Sequence, residues 1–146
     1  MTTMTASVYV PDLSTSCSCL LFLVPVSAGF PSPGDDYVET KLDLHQHLIK
    51  HEAATFFVRV RGDSMIEAGI HSGDLLIVDR ALEPTDNSVV IAIVNRELTV
   101  KRLCKRAGQL VLMPSNGKYA PLHITDGTDF EVWGVVTHVI HAMKPQ

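Results

Sequence analysis

The stretch RVRGDSMIEAGIHSGDLLIVDR, Arg59 to Arg80, decides the fold. It continues an alternation, Val58-Arg59-Val60-Arg61, whose period of two is that of a strand with one buried face. Its end, GDLLIVDR, is a short apolar run between polar residues, as in a strand buried on both faces. Between them runs a glycine-punctuated loop with Ser64 near its start. A serine so placed is either a turn residue or a nucleophile, and a nucleophile needs a group to take its proton.

Working outward, Phe56 and Phe57 fall on opposite faces of the first strand. NSVVIAIVNRELTVKRL is predicted to form two strands joined at Asn95-Arg96, Asn being a plausible hairpin residue although the usual glycine is missing. GQLVLMPSN and EVWGVVTHVIHAM supply two more. The predicted fold is mainly β, with strands following one another at short spacing. Upstream, KLDLHQHLIKH (Lys41 to His51) carries Leu44, His47, Leu48 and His51 at spacings of three and four, which suits one short amphipathic helix or turn. Pro31, Pro33 and Gly34 make the segment before it an extended linker. The organisation expected is a flexible N-terminal arm over 1–40 and a β-rich domain over 41–146, with no internal repeat.

Composition narrows the function. A chain of 146 residues, 46% hydrophobic and of formal charge −4, is an ordinary globular domain with no basic excess, so no direct sequence-specific DNA binding is expected and any link to DNA should run through a partner. Three cysteines imply no disulfide framework, and Cys17-Ser18-Cys19 lacks a second pair at zinc spacing. No metal and no cofactor are expected, and His45, His47 and His51 are read as solvated helix surface. The run Leu20 to Val26 followed by Ser27-Ala28 resembles a secretory signal, but no Lys or Arg precedes Lys41, Asp12 lies ahead of the run, and Pro25 interrupts it. It is also too short to span a bilayer. A cytoplasmic protein without membrane attachment is expected; a secreted β-module is the alternative.

Seven histidines leave a Ser-His-Asp triad open by composition, yet no Gly-x-Ser-x-Gly elbow surrounds Ser64. Lysine is the other base. In ELTVKRL the period of two puts Thr99, Lys101 and Leu103 on one face, with Leu98, Val100 and Arg102 on the other. An exposed lysine is protonated at neutral pH, but burial penalises the charged form and can lower its pKa by roughly 3 units. Arg102 is no substitute, because guanidinium keeps its proton.

Gly62-Asp63-Ser64-Met65, then Gly73-Asp74-Leu75-Leu76-Ile77-Val78-Asp79, Leu98-Thr99-Val100-Lys101 and Val132-Trp133-Gly134-Val135-Val136 resemble, in order, the LexA-type self-cleaving serine peptidase domain. The Ser64 to Lys101 spacing and the upstream AGFPSPGDDY are closer to its UmuD branch, and the likeness covers roughly residues 28–142. The resemblance implies a fold of curved, mostly antiparallel sheets with an extended N-terminal arm. It implies a Ser-Lys dyad, with Ser64 as nucleophile and Lys101 as general base. The scissile bond would be Ala28–Gly29, Ala standing where some members have Cys. The backbone N–H groups of Ser64 and Asp63 would be the oxyanion donors.

UmuD-like proteins shed a short arm when a RecA–single-stranded DNA filament promotes cleavage, then form a homodimer that joins a UmuC-like, error-prone Y-family DNA polymerase in translesion synthesis. Those partners follow from the resemblance alone. Residues 1–28 are too short and too poor in Lys and Arg for the DNA-binding region of a repressor. Small residues around the bond and a proline-stiffened linker suit a tethered substrate. A Ser-Lys peptidase acting in trans is the further alternative. The Leu20 to Val26 run is expected to be covered before cleavage, by the domain or a partner. Arg61-Gly62-Asp63 is read as a coincidental adhesion tripeptide, Lys105 and Arg106 as a solvated strand end with partner docking as the rival, Trp133 as core or dimer contact, and Asp35 and Asp36 as linker solubility.

Overall fold

Asn95 and Arg96 both adopt positive φ, 49° and 70°, and close a two-residue hairpin in which Val94 pairs with Glu97. Two successive left-handed residues match the right-handed twist of the flanking strands, and Asn tolerates that conformation at low cost. Ala107 and Gly108 repeat the device one hairpin later, with Arg106 opposite Gln109. Tight turns and apolar strands thus build a meander directly from local sequence.

The computed structural model describes residues 5–14, 18–22 and 39–144. Its strands are β1 (Thr5–Tyr9), β2 (Ser18–Phe22), β3 (Glu39–Asp43), β4 (Thr55–Arg61), β5 (Leu75–Asp79), β6 (Ser88–Val94), β7 (Glu97–Arg106), β8 (Gln109–Met113), β9 (Leu122–His123) and β10 (Phe130–Ile140), with one helix, α1 (Leu44–Leu48). The chain divides into two compact units, Met1–Pro11 with His51–Gln146, and Asp12–Lys50. The mainly β, antiparallel architecture expected from the sequence is the one observed: every strand pair among the described residues is antiparallel.

In the smaller unit β2 and β3 form a hairpin-like pair, Ser18 opposite Asp43, and α1 follows. The helix is shorter than the Lys41 to His51 pattern implies. The Asp43 carboxylate caps it by accepting from the His45 N–H at 3.0 Å, and Ile49 is already extended. His47 and His51 therefore do not share a helical face; His51 begins the larger unit instead.

In the larger unit the sheet order is β1-β4-β5-β10-β6-β7-β8-β9. The Ser/Thr-rich start of the chain gave no sign of β1, which forms the edge of the sheet along β4, from Thr5 opposite Arg61 to Tyr9 opposite Phe57. β10 is the central strand. Its first half pairs with β6 and its second half with β5, and the register shifts twice, at Val132/Gly134 and Val136/His138. Such bulges bend and twist a strand, so one long strand can serve two sheet halves.

Alternation along β6 divides the core in two. Ile91 joins Val58, Val60, Met65, Ile70, Leu76, Val78 and Val100, whereas Val90, Ala92 and Val94 join Leu103 and Leu112. Trp133 packs against the first cluster, its ring centroid 5.3 Å from that of Phe56, with the Arg80 guanidinium carbon 4.7 Å above it.

Gly134 marks the first bulge because nothing larger fits. A Cβ there would lie 2.6 Å from Val78 Cγ1 and 3.2 Å from Arg80 Cγ, and Val78 is fully buried. Gly134→Ala is expected to destabilise the protein by about 1–3 kcal/mol, the usual cost of overpacking, read as a lower denaturant midpoint at unchanged slope.

Candidate functional site

Gly62 leaves β4 with φ of 106°, a conformation glycine adopts without strain, and its N–H donates to Ser72 Oγ at 3.2 Å. That reversal starts the loop bearing Ser64, which is 1% exposed. A second segment, residues 115–119, clamps the loop. Ser115 N–H donates to the Ser64 carbonyl at 2.8 Å and the Asn116 side-chain amide to the Asp63 carbonyl at 2.8 Å. The Tyr119 hydroxyl donates to Asp63 Oδ1 at 2.5 Å, and this bond holds the Tyr119 phenol above its usual range. Ser115 also accepts from the Glu67 N–H at 2.8 Å, so the loop is gripped on both sides of the serine.

Lys101 comes from the middle of β7 and is 2% exposed. Its cross-strand neighbour is Val90, and Thr99 and Leu103 flank it on the same face. Nζ lies 3.1 Å from Ser64 Oγ, 2.8 Å from Thr99 Oγ1 and 3.1 Å from the Val100 carbonyl oxygen. The structure thus brings together the two side chains singled out in the sequence, 37 residues apart. Burial pushes the Lys101 ammonium down to about 8, because the apolar surroundings favour the neutral amine. Folding bears the corresponding cost. Between about pH 8 and 10.5 the unfolded chain binds more protons at this group than the native one, so its contribution to stability grows with pH across that window, by about 3 kcal/mol in all.

Chemically, a neutral amine at hydrogen-bond distance from a hydroxyl can accept its proton. No histidine hydrogen-bonds Ser64 among the described residues, which leaves the triad without a member. Among the described residues the backbone N–H groups of Asp63 and Ser64 donate to no protein acceptor, so both remain available. Thr99, Asn116 and Tyr119 have no signature as site residues in the sequence. Thr99 is recoverable from its position two before Lys101 on one face; the other two act across more than fifty residues, where no local pattern reaches.

The remaining candidates are placed as follows. Ala28 and Gly29 lie outside the described residues, as do Asp35, Asp36 and the linker prolines, and the Leu20 to Val26 run is described only in its backbone through Phe22. His51 Nδ1 is 2.6 Å from Asp79 Oδ2 rather than free on a helix surface. Lys105 and Arg106 are exposed at the end of β7, where Arg106 lies 3.6 Å from the Asp86 carboxylate. No helix of the described residues is long and apolar enough to cross a membrane.

A mainly antiparallel β fold with a serine and a lysine buried side by side is the setting of a serine peptidase. The family model described as Peptidase S24-like matches residues 21–137, and the chain belongs to that family. It is 45% identical to protein MucA of Salmonella typhimurium over 118 residues, 80% of either chain. It is 47% identical to protein SamA of Salmonella typhimurium strain LT2 over 124 residues, 85% of this chain and 86% of that one. It is 37% identical to the LexA repressor of Clostridium perfringens over 101 residues, 69% of this chain and 50% of the repressor. The resemblance to the UmuD-like branch is thereby borne out.

Proposed function

We propose that the chain is a UmuD-like protein of SOS mutagenesis that cleaves itself at Ala28–Gly29. Ser64 Oγ attacks the Ala28 carbonyl carbon while its proton passes to the neutral Lys101 amine. The oxyanion takes hydrogen bonds from the backbone N–H groups of Ser64 and Asp63. Lys101 returns the proton to the Gly29 nitrogen as the peptide C–N bond breaks, leaving an ester between Ser64 and Ala28. A water molecule deprotonated by Lys101 attacks that ester, and Lys101 passes the proton to Ser64 Oγ as the ester C–O bond breaks, releasing residues 1–28 and restoring both side chains. The observation that carries this reading is the 3.1 Å separation of Nζ and Oγ between two buried side chains.

The reading extends to partners on the strength of the family resemblance: a RecA–single-stranded DNA filament promotes cleavage, and residues 29–146 form a homodimer that joins a UmuC-like Y-family polymerase in the cytoplasm. Intact mass spectrometry of the purified chain, alone and with the filament, tests the core of it. Expected are two products, residues 1–28 and 29–146, appearing faster with the filament. An unchanged mass under both conditions, or a cut at another bond, overturns it.

The clamp on the loop yields a separate prediction. Asn116→Ala and Tyr119→Phe each remove one hydrogen bond to Asp63, at a cost of about 1–2 kcal/mol in stability. Self-cleavage should slow by about 10–100-fold, because a misplacement near 1 Å at a reacting centre costs about 100-fold. Cleavage rates followed by gel densitometry beside denaturant melts separate the two effects.

A further inference from the structure

Asp74 is 2% exposed and sits between two imidazoles. His71 precedes it by three residues in the turn that leads to β5. His141 follows β10, and because Ile140 pairs with Leu75 the register carries His141 to the strand position opposite Asp74. The backbone itself therefore assembles the group. Its rings lie with centroids 4.6 Å apart, tilted by 35°, and both Nδ1 atoms face the carboxylate.

The bonding within the cluster is lopsided. His141 Nδ1 is 2.5 Å from Asp74 Oδ1, a full hydrogen bond. Asp74 Oδ2 is taken by the backbone N–H of His71 at 2.7 Å. His71 Nδ1 lies 3.8 Å from the same oxygen, too far for a hydrogen bond, and it is a buried side-chain atom without a protein partner among the described residues. Leaving such an atom unpaired costs stability, and an ion or a water is the usual explanation. A ring nitrogen turned inward, beside a second imidazole and a buried carboxylate, supplies the donor types of a first-row divalent cation.

We infer that His71 Nδ1, Asp74 and His141 Nδ1 form a binding site for a divalent transition-metal ion of the zinc type. The candidate donor atoms all lie within 4.8 Å of one another. Ligands at zinc distances and tetrahedral angles stand roughly 3.3 Å apart. His141 Nδ1 therefore has to open from 2.5 Å to Asp74 Oδ1, and His71 Nδ1, 3.8 Å from Oδ2, has to close on the same ion, both by rotation of side chains that are part-exposed at the rim of the site. The His71 N–H on Asp74 Oδ2 fixes the carboxylate, as outer partners orient metal ligands elsewhere. A solvent-open cavity of about 280 Å³ lined by Arg59, Ser72, Gly73, Asp74 and His141 leaves room for water at the fourth position. Bound metal would tie the end of β10 to the loop that runs on from Ser64, and all three ligands lie in residues 29–146, so the site is independent of self-cleavage.

Chelator-stripped full-length protein titrated with Co²⁺ alone is the test, followed by displacement with Zn²⁺. One equivalent per chain with a tetrahedral visible spectrum, and a higher melting temperature with Zn²⁺, is expected. His71→Ala and His141→Ala should each weaken binding by roughly tenfold or more and cancel the thermal shift, whereas His45→Ala with His47→Ala should change neither. His71→Gln and His141→Gln serve where an alanine variant melts lower in chelator than the wild type. Absence of stoichiometric binding in the wild type, or binding that survives substitution of His71 and His141, overturns the inference.

Discussion

Ser64→Ala and Lys101→Ala are each expected to reduce self-cleavage by at least about 10⁴-fold, to below detection over days, with the chain still folded. Both side chains are buried in contact, and each variant removes one end of the proposed proton transfer, so the double variant should be no slower than either single one. In barrier terms the loss exceeds about 5.5 kcal/mol, more than general acid–base catalysis alone supplies, because without the serine no covalent step exists. Intact mass spectrometry reads the outcome directly. Processing at the same bond in both variants would assign cleavage to another peptidase and leave Ser64 as a turn residue.

The pH profile is expected to have its inflexion near the Lys101 value of about 8 rather than near 10.5, the ordinary value. Lowering the pKa enlarges the neutral fraction, and the proposed base is the neutral amine, so the rate is expected to rise with pH and level off above the inflexion. At pH 7 about 10% of the amine is neutral in the fold, against about 0.03% for an unburied lysine, a gain of roughly 300-fold in working base. Below the inflexion the rate should climb about tenfold per pH unit. Lys101→Arg should be inactive across the range, since guanidinium stays protonated. A profile still rising at pH 10, or an active arginine variant, would show that Lys101 positions the serine without taking its proton.

The strands legible in the sequence were those with a strong period or a bounded apolar run, β4 through β8 and β10, because alternation reports directly which side chains leave water. The Asn95-Arg96 turn was legible because few residues tolerate positive φ. β1, β2, β3 and β9 were not: β1 pairs with β4 some fifty residues on, β2 and β3 pair across a long intervening segment, and β9 is only two residues long. The short histidine-bearing helix expected within Lys41 to His51 is present but ends earlier than the spacing suggests: the pattern ran to His51, whereas the Asp43 cap and the extended Ile49 confine it to five residues.

By itself the sequence determined the identities of Ser64 and Lys101, the face of β7 that carries the lysine and the mainly β character of the chain. These are properties of residue type and local period. Only the tertiary structure decided that the amine lies 3.1 Å from the hydroxyl, that its surroundings shift it to about 8, and that Asn116 and Tyr119 grip the loop. It also decided that His71, Asp74 and His141 converge, through the register of β5 with β10. Distances across dozens of residues and the exclusion of water are set by packing, and packing has no imprint in any short window of the chain.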